Sequence, residues 1–403
     1  MTRSPSARRG TPLAAGELLP LLALTLSAFL LNTSEFVPIG LLTDIAGSFS
    51  LSESGAGLMV SVYAAAVALL SLPLMLAASR LAPRPLIVTV LALFCAGQAA
   101  SAAAPTFELL VAARLLVAAT HAVFWSVATP FAVRAVAPEH ASLAMSMIIT
   151  GTSVAMILGM PMGRTLGLAL GWRMTFVCMG ALALVALVGL LAFFPRLGAG
   201  APFTLSRLPE LARNRPLMAL YLCSVLFATG YYTAYSYVEP FLRQVAGMPG
   251  GLVTAALTVF GAAGLVGSWL FARLFDAHRQ AFLTATICGL TAALFLLLPL
   301  SGLAGGPFAV CALWGACATA YNVAVQAEII RTTSPDASAV AMSIFSGLFN
   351  VGIGAGSAVG GAVCDSMGIG ALGVVGGAVA GAGAIWCASV VRRTLRAAAA
   401  ERA

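Results

Sequence analysis

The chain has 403 residues, of which 61% are hydrophobic and 8% charged, whereas an ordinary soluble domain carries about 25% charged residues. That composition excludes a soluble globular protein and leaves no stretch long or polar enough for a separate soluble domain. The net charge of +8 comes from 21 basic residues that are all arginine, so what it means depends on where those arginines fall.

A helix crossing a hydrocarbon core of about 30 Å needs roughly 20 mostly apolar residues. In chain order such runs cover 18–43, 54–78, 86–104, 108–133, 142–168, 173–194, 217–242, 251–274, 281–300, 306–330, 339–363 and 371–391, which predicts twelve membrane spans. The basic N-terminus MTRSPSARRG leads into an apolar run longer than a signal-peptide core, so the first span is expected to stay uncleaved. Spans nine and ten are the least clearly separated, by SGLAGGP (301–307) alone.

With the N-terminus inside, 17 of the 21 arginines fall on the cytoplasmic side, Arg164, Arg173 and Arg243 fall outside, and Arg114 lies within a span. This positive-inside bias places both chain ends in the cytoplasm. It also accounts for the net charge, leaving no reason to invoke a nucleic-acid partner. The eight cysteines stand singly in or beside apolar runs, without CxxC or metal-type spacing, and read as small apolar residues.

The longest polar interruption, PRLGAGAPFTLSRLPELARNRP, sits at the midpoint. The expected organisation is a cytoplasmic tail (1–17), a six-helix bundle (18–194), a cytoplasmic linker (195–216), a second six-helix bundle (217–391) and a cytoplasmic tail (392–403). RAVAPEHASLAMS (134–146) matches RTTSPDASAVAMS (331–343) at an offset of 197, which aligns Gly159 with Gly356 and Gly163 with Gly360. FVP, ending at Pro38, similarly matches YVEP, ending at Pro240. These matches point to a duplicated unit repeated in parallel orientation.

Two six-helix repeats joined by a cytoplasmic loop resemble the major facilitator superfamily. GMPMGR, with Gly159, Pro161, Gly163 and Arg164, resembles its fifth-helix antiporter motif, and GWRMTF resembles the turn into helix six. Arg114 occupies the place of the superfamily's fourth-helix arginine. The loop SRLAPRP (79–85) departs from the pattern by lacking the signature Gly and Asp, and Val117-Ala118 replaces the usual Gln-Gly. More narrowly, NTSEFVPIGLLTDIA, HAVFWSVAT, GWRMTF, YYTAYSYVEPF and FSGLFNVGIGAG resemble the bacterial sugar efflux transporter family, in the drug and proton antiporter branch. The resemblance implies an all-α fold of two pseudo-symmetric bundles in the bacterial inner membrane. It also implies a monomer, without cofactor or metal, that exports sugars or sugar-like compounds against protons by alternating access. Export of drugs or other metabolites is the alternative.

Ionisable groups at bilayer depth usually face a cavity or a partner. Arg114, His121 and Trp125 are spaced by seven and four residues, which puts them on one helical stripe. Glu35 and Arg114 both lie about 10 Å inside the outer ends of their spans, and the resemblance implies that helices 1 and 4 line the central cavity. We therefore expect Glu35 to alternate between a bound proton and an ion pair with Arg114. The competing reading is a permanent bridge, or a Glu35 satisfied by Thr33 and Ser34, that only anchors the first span.

His121 is either a proton relay and hydroxyl partner or a packing residue, and Trp125 either stacks on a sugar ring or anchors at the interface. Tyr231, Tyr235 and Glu239 at i, i+4 and i+8 make one face that could contact a sugar, unless the aromatic stripe is packing. Asn32, Asn322 and Asn350 complete the candidate substrate residues, because neutral amides suit a polyhydroxylated ligand, although such residues also join helices. GIGAGSAVGG (352–361) follows no strand and reads as small-residue helix packing. No HExxH, GxSxG or nucleotide P-loop is present, which argues against an enzyme or a pump driven directly by ATP.

Overall fold

The structure, a computed structural model, describes residues 15–78, 80–199 and 208–400. The expected N-terminal tail before residue 15, linker residues 200–207 and residues 401–403 lie outside the described residues.

Before the linker come α1 (Ala15–Gly40), α2 (Leu42–Ser48), α3 (Glu53–Ala78), α4 (Pro83–Ala103), α5 (Phe107–Arg134), α6 (Ala141–Val154), α7 (Met160–Leu170) and α8 (Trp172–Phe193). After it come α9 (Leu208–Arg213), α10 (Arg215–Tyr235), α11 (Val238–Gln244), α12 (Gly250–Leu296), α13 (Gly306–Thr332), α14 (Pro335–Ser366), α15 (Leu372–Trp386) and α16 (Arg392–Ala400). Local signals set several boundaries. The Thr106 side chain accepts the Leu109 N–H at the start of α5, and Asn214 accepts the Leu217 N–H at the start of α10. Pro83, Pro216 and Pro307 occupy first turns, where a missing N–H costs nothing.

Eleven helical stretches among the described residues are long and apolar enough to cross a membrane, where the sequence predicts twelve. The remaining span lies inside α12, whose 47 residues would reach about 70 Å if straight. At His278 the backbone leaves helical geometry (φ −135°, ψ 37°). The Phe271 and Phe282 ring centroids are 6.2 Å apart, although eleven residues of straight helix would separate them by about 16 Å. Beyond the bend both arms lie along one stretch of α13, with Gly264 facing Thr319 and Gly289 facing Cys317. The chain therefore turns back at His278, and α12 supplies two crossings.

The sequence repeat has a counterpart at the ends of α1 and α10. Each helix breaks at a residue with nearly the same non-helical angles, Leu41 (φ −122°, ψ 18°) and Tyr237 (φ −120°, ψ 17°), and each is followed by a short helix, α2 or α11. Gly159 and Gly163 pack against α1 at Thr33 and Val37, while Gly356 and Gly360 pack against α10 at Thr229 and Thr233.

Across the junction between the halves, α3 runs along α14, and α7 with the π-helical turn Ala155–Gly159 meets α12. Pro161 explains that turn, because it has no N–H for the Ile157 carbonyl and the helix widens there. The Ile157 carbonyl lies so close to α12 that a Cβ on Gly261 would stand 2.5 Å from it. On the outer surface, Leu69, Ile149 and Ile385 are exposed apolar side chains, as a lipid-facing perimeter requires.

Candidate functional site

Ser34 and Glu35 are consecutive on α1 and so point about 100° apart. Arg114 of α5, almost fully buried, turns to Ser34, donating one nitrogen to the hydroxyl at 2.9 Å and another to the carbonyl at 2.7 Å. Gln98 of α4 donates its amide to the same hydroxyl at 2.6 Å. The guanidinium also lies 4.9 Å from the Tyr63 ring centroid and 5.7 Å from that of Phe176, within cation–π range. The expected Glu35–Arg114 ion pair is therefore not formed in this conformation, because Ser34 and two aromatic faces hold the guanidinium one residue away.

The Glu35 carboxylate instead stands 3.7 Å from His121 Nε2. The His121 ring makes edge contacts with Tyr63 (5.9 Å) and Trp125 (6.0 Å), so the stripe on α5 is brought together as its spacing predicts. Glu35, Tyr63 and Arg114 line an internal space that Tyr232 and Ile353 of the second half close from the other side. Its volume is 10 Å³, room for about one water, whereas organic ligands occupy sites of about 300–1,000 Å³. The space beside Glu35 is therefore too small for an organic ligand in this conformation.

In the second half, Tyr231 and Tyr235 lie 4.7 Å apart. Both pack on Trp314 of α13, at 5.6 and 6.0 Å, and Phe36 of α1 meets Tyr235 at 6.4 Å across the junction. Tyr321 stacks on Phe227 at 3.9 Å. Tyr63 OH, Trp314 Nε1 and Asn350 Oδ1 are buried polar atoms without a protein partner. The candidate amides are mostly engaged. Asn32 donates to the Thr152 carbonyl at 3.4 Å, Asn350 to the Ser346 carbonyl at 3.0 Å, and Asn322 accepts from the Gln326 amide. None of the three lines the space beside Glu35.

Glu239 is placed differently from its expected position on the tyrosine face. The break at Tyr237 takes it off the α10 register, and it is fully buried against the first half. Its carboxylate pairs with Arg164 at 2.9 Å and accepts from the Thr43 hydroxyl at 2.7 Å and the Thr43 N–H at 3.3 Å. Arg164, also fully buried, donates to the Gly40 carbonyl at 2.6 Å.

Gln98, Tyr63 and Trp314 are residues that sequence reasoning missed. Gln98 had a usable signal, as a lone amide in AGQAAS within an apolar span. Tyr63 and Trp314 had none beyond their residue type. Among the described residues, no three His, Cys, Asp or Glu side chains stand together to hold a metal ion.

The sequence profile of the Major Facilitator Superfamily matches residues 24–327. A protein of Mannheimia succiniciproducens named as a probable sugar efflux transporter is 39% identical over 347 residues, covering 86% of this chain and 87% of that protein. Among solved structures, an inward-facing, unoccupied bacterial homologue of the human lysosomal transporter Spinster superposes with a TM-score of 0.80 at 19% identity, covering 96% of this chain and 99% of that one. A human organic anion transporter superposes with a TM-score of 0.68 at 16% identity, covering 93% and 100%. At such identities these two structures establish the fold alone. Given the profile match, the close relative and the helical architecture, the chain belongs to the Major Facilitator Superfamily and is a multi-pass membrane transport protein, not an enzyme.

Proposed function

We propose that this protein exports sugars or sugar-like compounds from the cytoplasm across the bacterial inner membrane, in exchange for protons. Two bundles, residues 18–194 and 217–391, rock about the central site while both chain ends stay in the cytoplasm, as the arginine distribution favours. The protein works as a monomer without a cofactor, and the proton gradient supplies the drive.

The observation that carries this reading is the position of Glu35. It is a carboxylate within a membrane span, 3.7 Å from a histidine, beside a space walled by both halves. A proton on Glu35 or His121 changes the charge where the halves meet, so protonation and rocking become linked. Arg114 acts here by orienting Ser34 and setting the local field rather than by pairing with Glu35. Tyr63, Trp314 and Asn350 bring buried polar atoms that lack partners, and sugar hydroxyls would satisfy them once the halves part. The relative's name supports the substrate class.

The deciding experiment is counterflow in proteoliposomes with labelled arabinose or a thiogalactoside, competed against a cationic dye. Saturable sugar counterflow that responds to an imposed pH gradient is expected. Dye export insensitive to sugar would replace the reading with drug efflux.

A further inference from the structure

A groove of 390 Å³ lies between the start of α10 and the stretch that runs from Trp386 into α16. This is the cytoplasmic end of the second half in the orientation proposed above. The volume falls in the range of organic ligand sites, unlike the space beside Glu35. The two walls are antiparallel, since Gly230 meets Ala380, Leu226 meets Gly383, and Trp386 Nε1 donates to the Ala219 carbonyl at 3.0 Å. Both walls therefore grade in the same sense, from Arg215 and Thr394 at the polar end, past Met218 and Val390, to Leu222 and Trp386. Leu222 lies about 10 Å along α10 from Arg215. Met218 and Leu222 are exposed, so this apolar end opens toward lipid chains. Arg213, Arg392, Arg393 and Arg396 stand one or two residues from lining positions, against a single carboxylate so placed among the described residues, that of Glu210. Arg396 turns to Gln280 at 2.9 Å, whereas Arg215 and Arg393 are exposed.

We propose that this groove binds an anionic phospholipid of the inner leaflet, with the phosphate held by Arg215 and the first methylenes laid along Met218, Leu222 and Trp386. Arg393 adds to the positive field at the headgroup. The groove has the polarity of such a lipid, cationic at the membrane boundary and apolar toward the hydrocarbon. Basic side chains at that depth attract anionic headgroups, and a guanidinium can hold a phosphate through two parallel N–H bonds. A soluble anion would satisfy the arginine and leave the apolar wall unmatched. A second copy of this chain fits poorly, because a two-fold contact would set the same arginines against one another. The bound lipid touches α10 and α16 together, so it braces the first and last spans of the second half where the Trp386–Ala219 bond is the protein's own tie. The groove shares no lining residue with the space beside Glu35.

The lipid site is tested without sugar or gradient. The full chain in a mild non-ionic detergent is titrated with phosphatidylglycerol or with phosphatidylcholine of the same acyl chains, and bound lipid is counted by native mass spectrometry. Phosphatidylglycerol should bind about tenfold more tightly or better. Arg215→Gln should weaken it about fivefold, the attraction of one arginine near a membrane surface, and leave phosphatidylcholine unchanged. Met218→Trp, which fills the groove and keeps every charge, should also weaken phosphatidylglycerol. Arg84→Gln removes an arginine of the first half that donates to the Leu191 carbonyl, and it should leave lipid binding as in wild type. Equal binding of the two lipids, or an equal loss in Arg84→Gln and Arg215→Gln, would reduce the groove to part of a general basic surface and overturn the proposal. Displacement of the lipid by glycerol phosphate at matching concentration would overturn it too, as would a dimer that Met218→Trp dissociates in place of bound lipid. If Arg215→Gln does not fold, Arg393→Gln and Met218→Trp decide, and undiminished phosphatidylglycerol binding in both overturns the site. Failure of sugar counterflow would leave these binding results standing.

Discussion

Arg114 grips Ser34 twice, through the hydroxyl at 2.9 Å and the backbone carbonyl at 2.7 Å. Because Gln98 donates to the same hydroxyl, one small side chain on α1 serves two buried donors on two other helices. Ser34→Ala should cost about 1.5–3 kcal/mol, the range for a buried hydrogen bond to a charged group. Thermal unfolding in detergent would read the loss. Ser34→Thr, which keeps the hydroxyl, should recover most of it.

Glu35 and His121 meet beside a space that both halves enclose. Under the proposed mechanism Glu35→Gln should retain sugar exchange across a membrane with equal pH on both sides, because that needs only rocking. It should lose accumulation driven by a pH gradient. Proteoliposome flux with and without an imposed gradient separates the two, and gradient-driven accumulation that survives the substitution would show that Glu35 merely anchors α1.

The stripe Arg114, His121, Trp125 was legible in the sequence because α5 runs unbroken through it, and helical spacing then fixes the face. The face Tyr231, Tyr235, Glu239 was only partly legible. The same arithmetic fails beyond Tyr235, where the chain breaks at Tyr237 and sends Glu239 to Arg164. Depth along a span could be read as well, which is why Glu35 and Arg114 were matched. Depth does not say which of two adjacent α1 residues the guanidinium meets, and Ser34 wins because Gln98, Tyr63 and Phe176 converge there from other helices. The span count was legible from hydropathy, although the eighth and ninth spans both lie within α12, which bends at His278.

The repeated glycines give unequal predictions despite matching positions. A Cβ on Gly163 would stand 2.4 Å from a Val37 methyl, a side-chain atom that can rotate away, whereas a Cβ on Gly360 would stand 2.3 Å from the Thr233 carbonyl oxygen, which belongs to the backbone. Overpacking of this kind costs about 1–3 kcal/mol. Gly360→Ala should fall at the upper end and Gly163→Ala at the lower. Paired melting curves check the order, and a larger loss for Gly163→Ala would show that the first half yields less than its side-chain contact implies.

Arg279 and Glu328 form a bidentate pair at 2.6 and 2.7 Å, joining the bend of α12 to α13. Glu328 is fully buried while the Arg279 side chain is 38% exposed, so the two partners are not equivalent. Removing Arg279 strands a buried carboxylate, which typically costs about 3–5 kcal/mol, and water reaching the emptied arginine position should keep Arg279→Ala near the lower bound. Arg279→Lys should recover only part of the loss, because an ammonium cannot reproduce the planar two-bond fork. Arg279→Met with Glu328→Leu should lie closer to wild type than Arg279→Ala, since no charge is then left unpaired. Melting midpoints for the three variants test the ordering. A double variant less stable than Arg279→Ala would mean that the pair holds the bend through its geometry, beyond neutralising a buried charge.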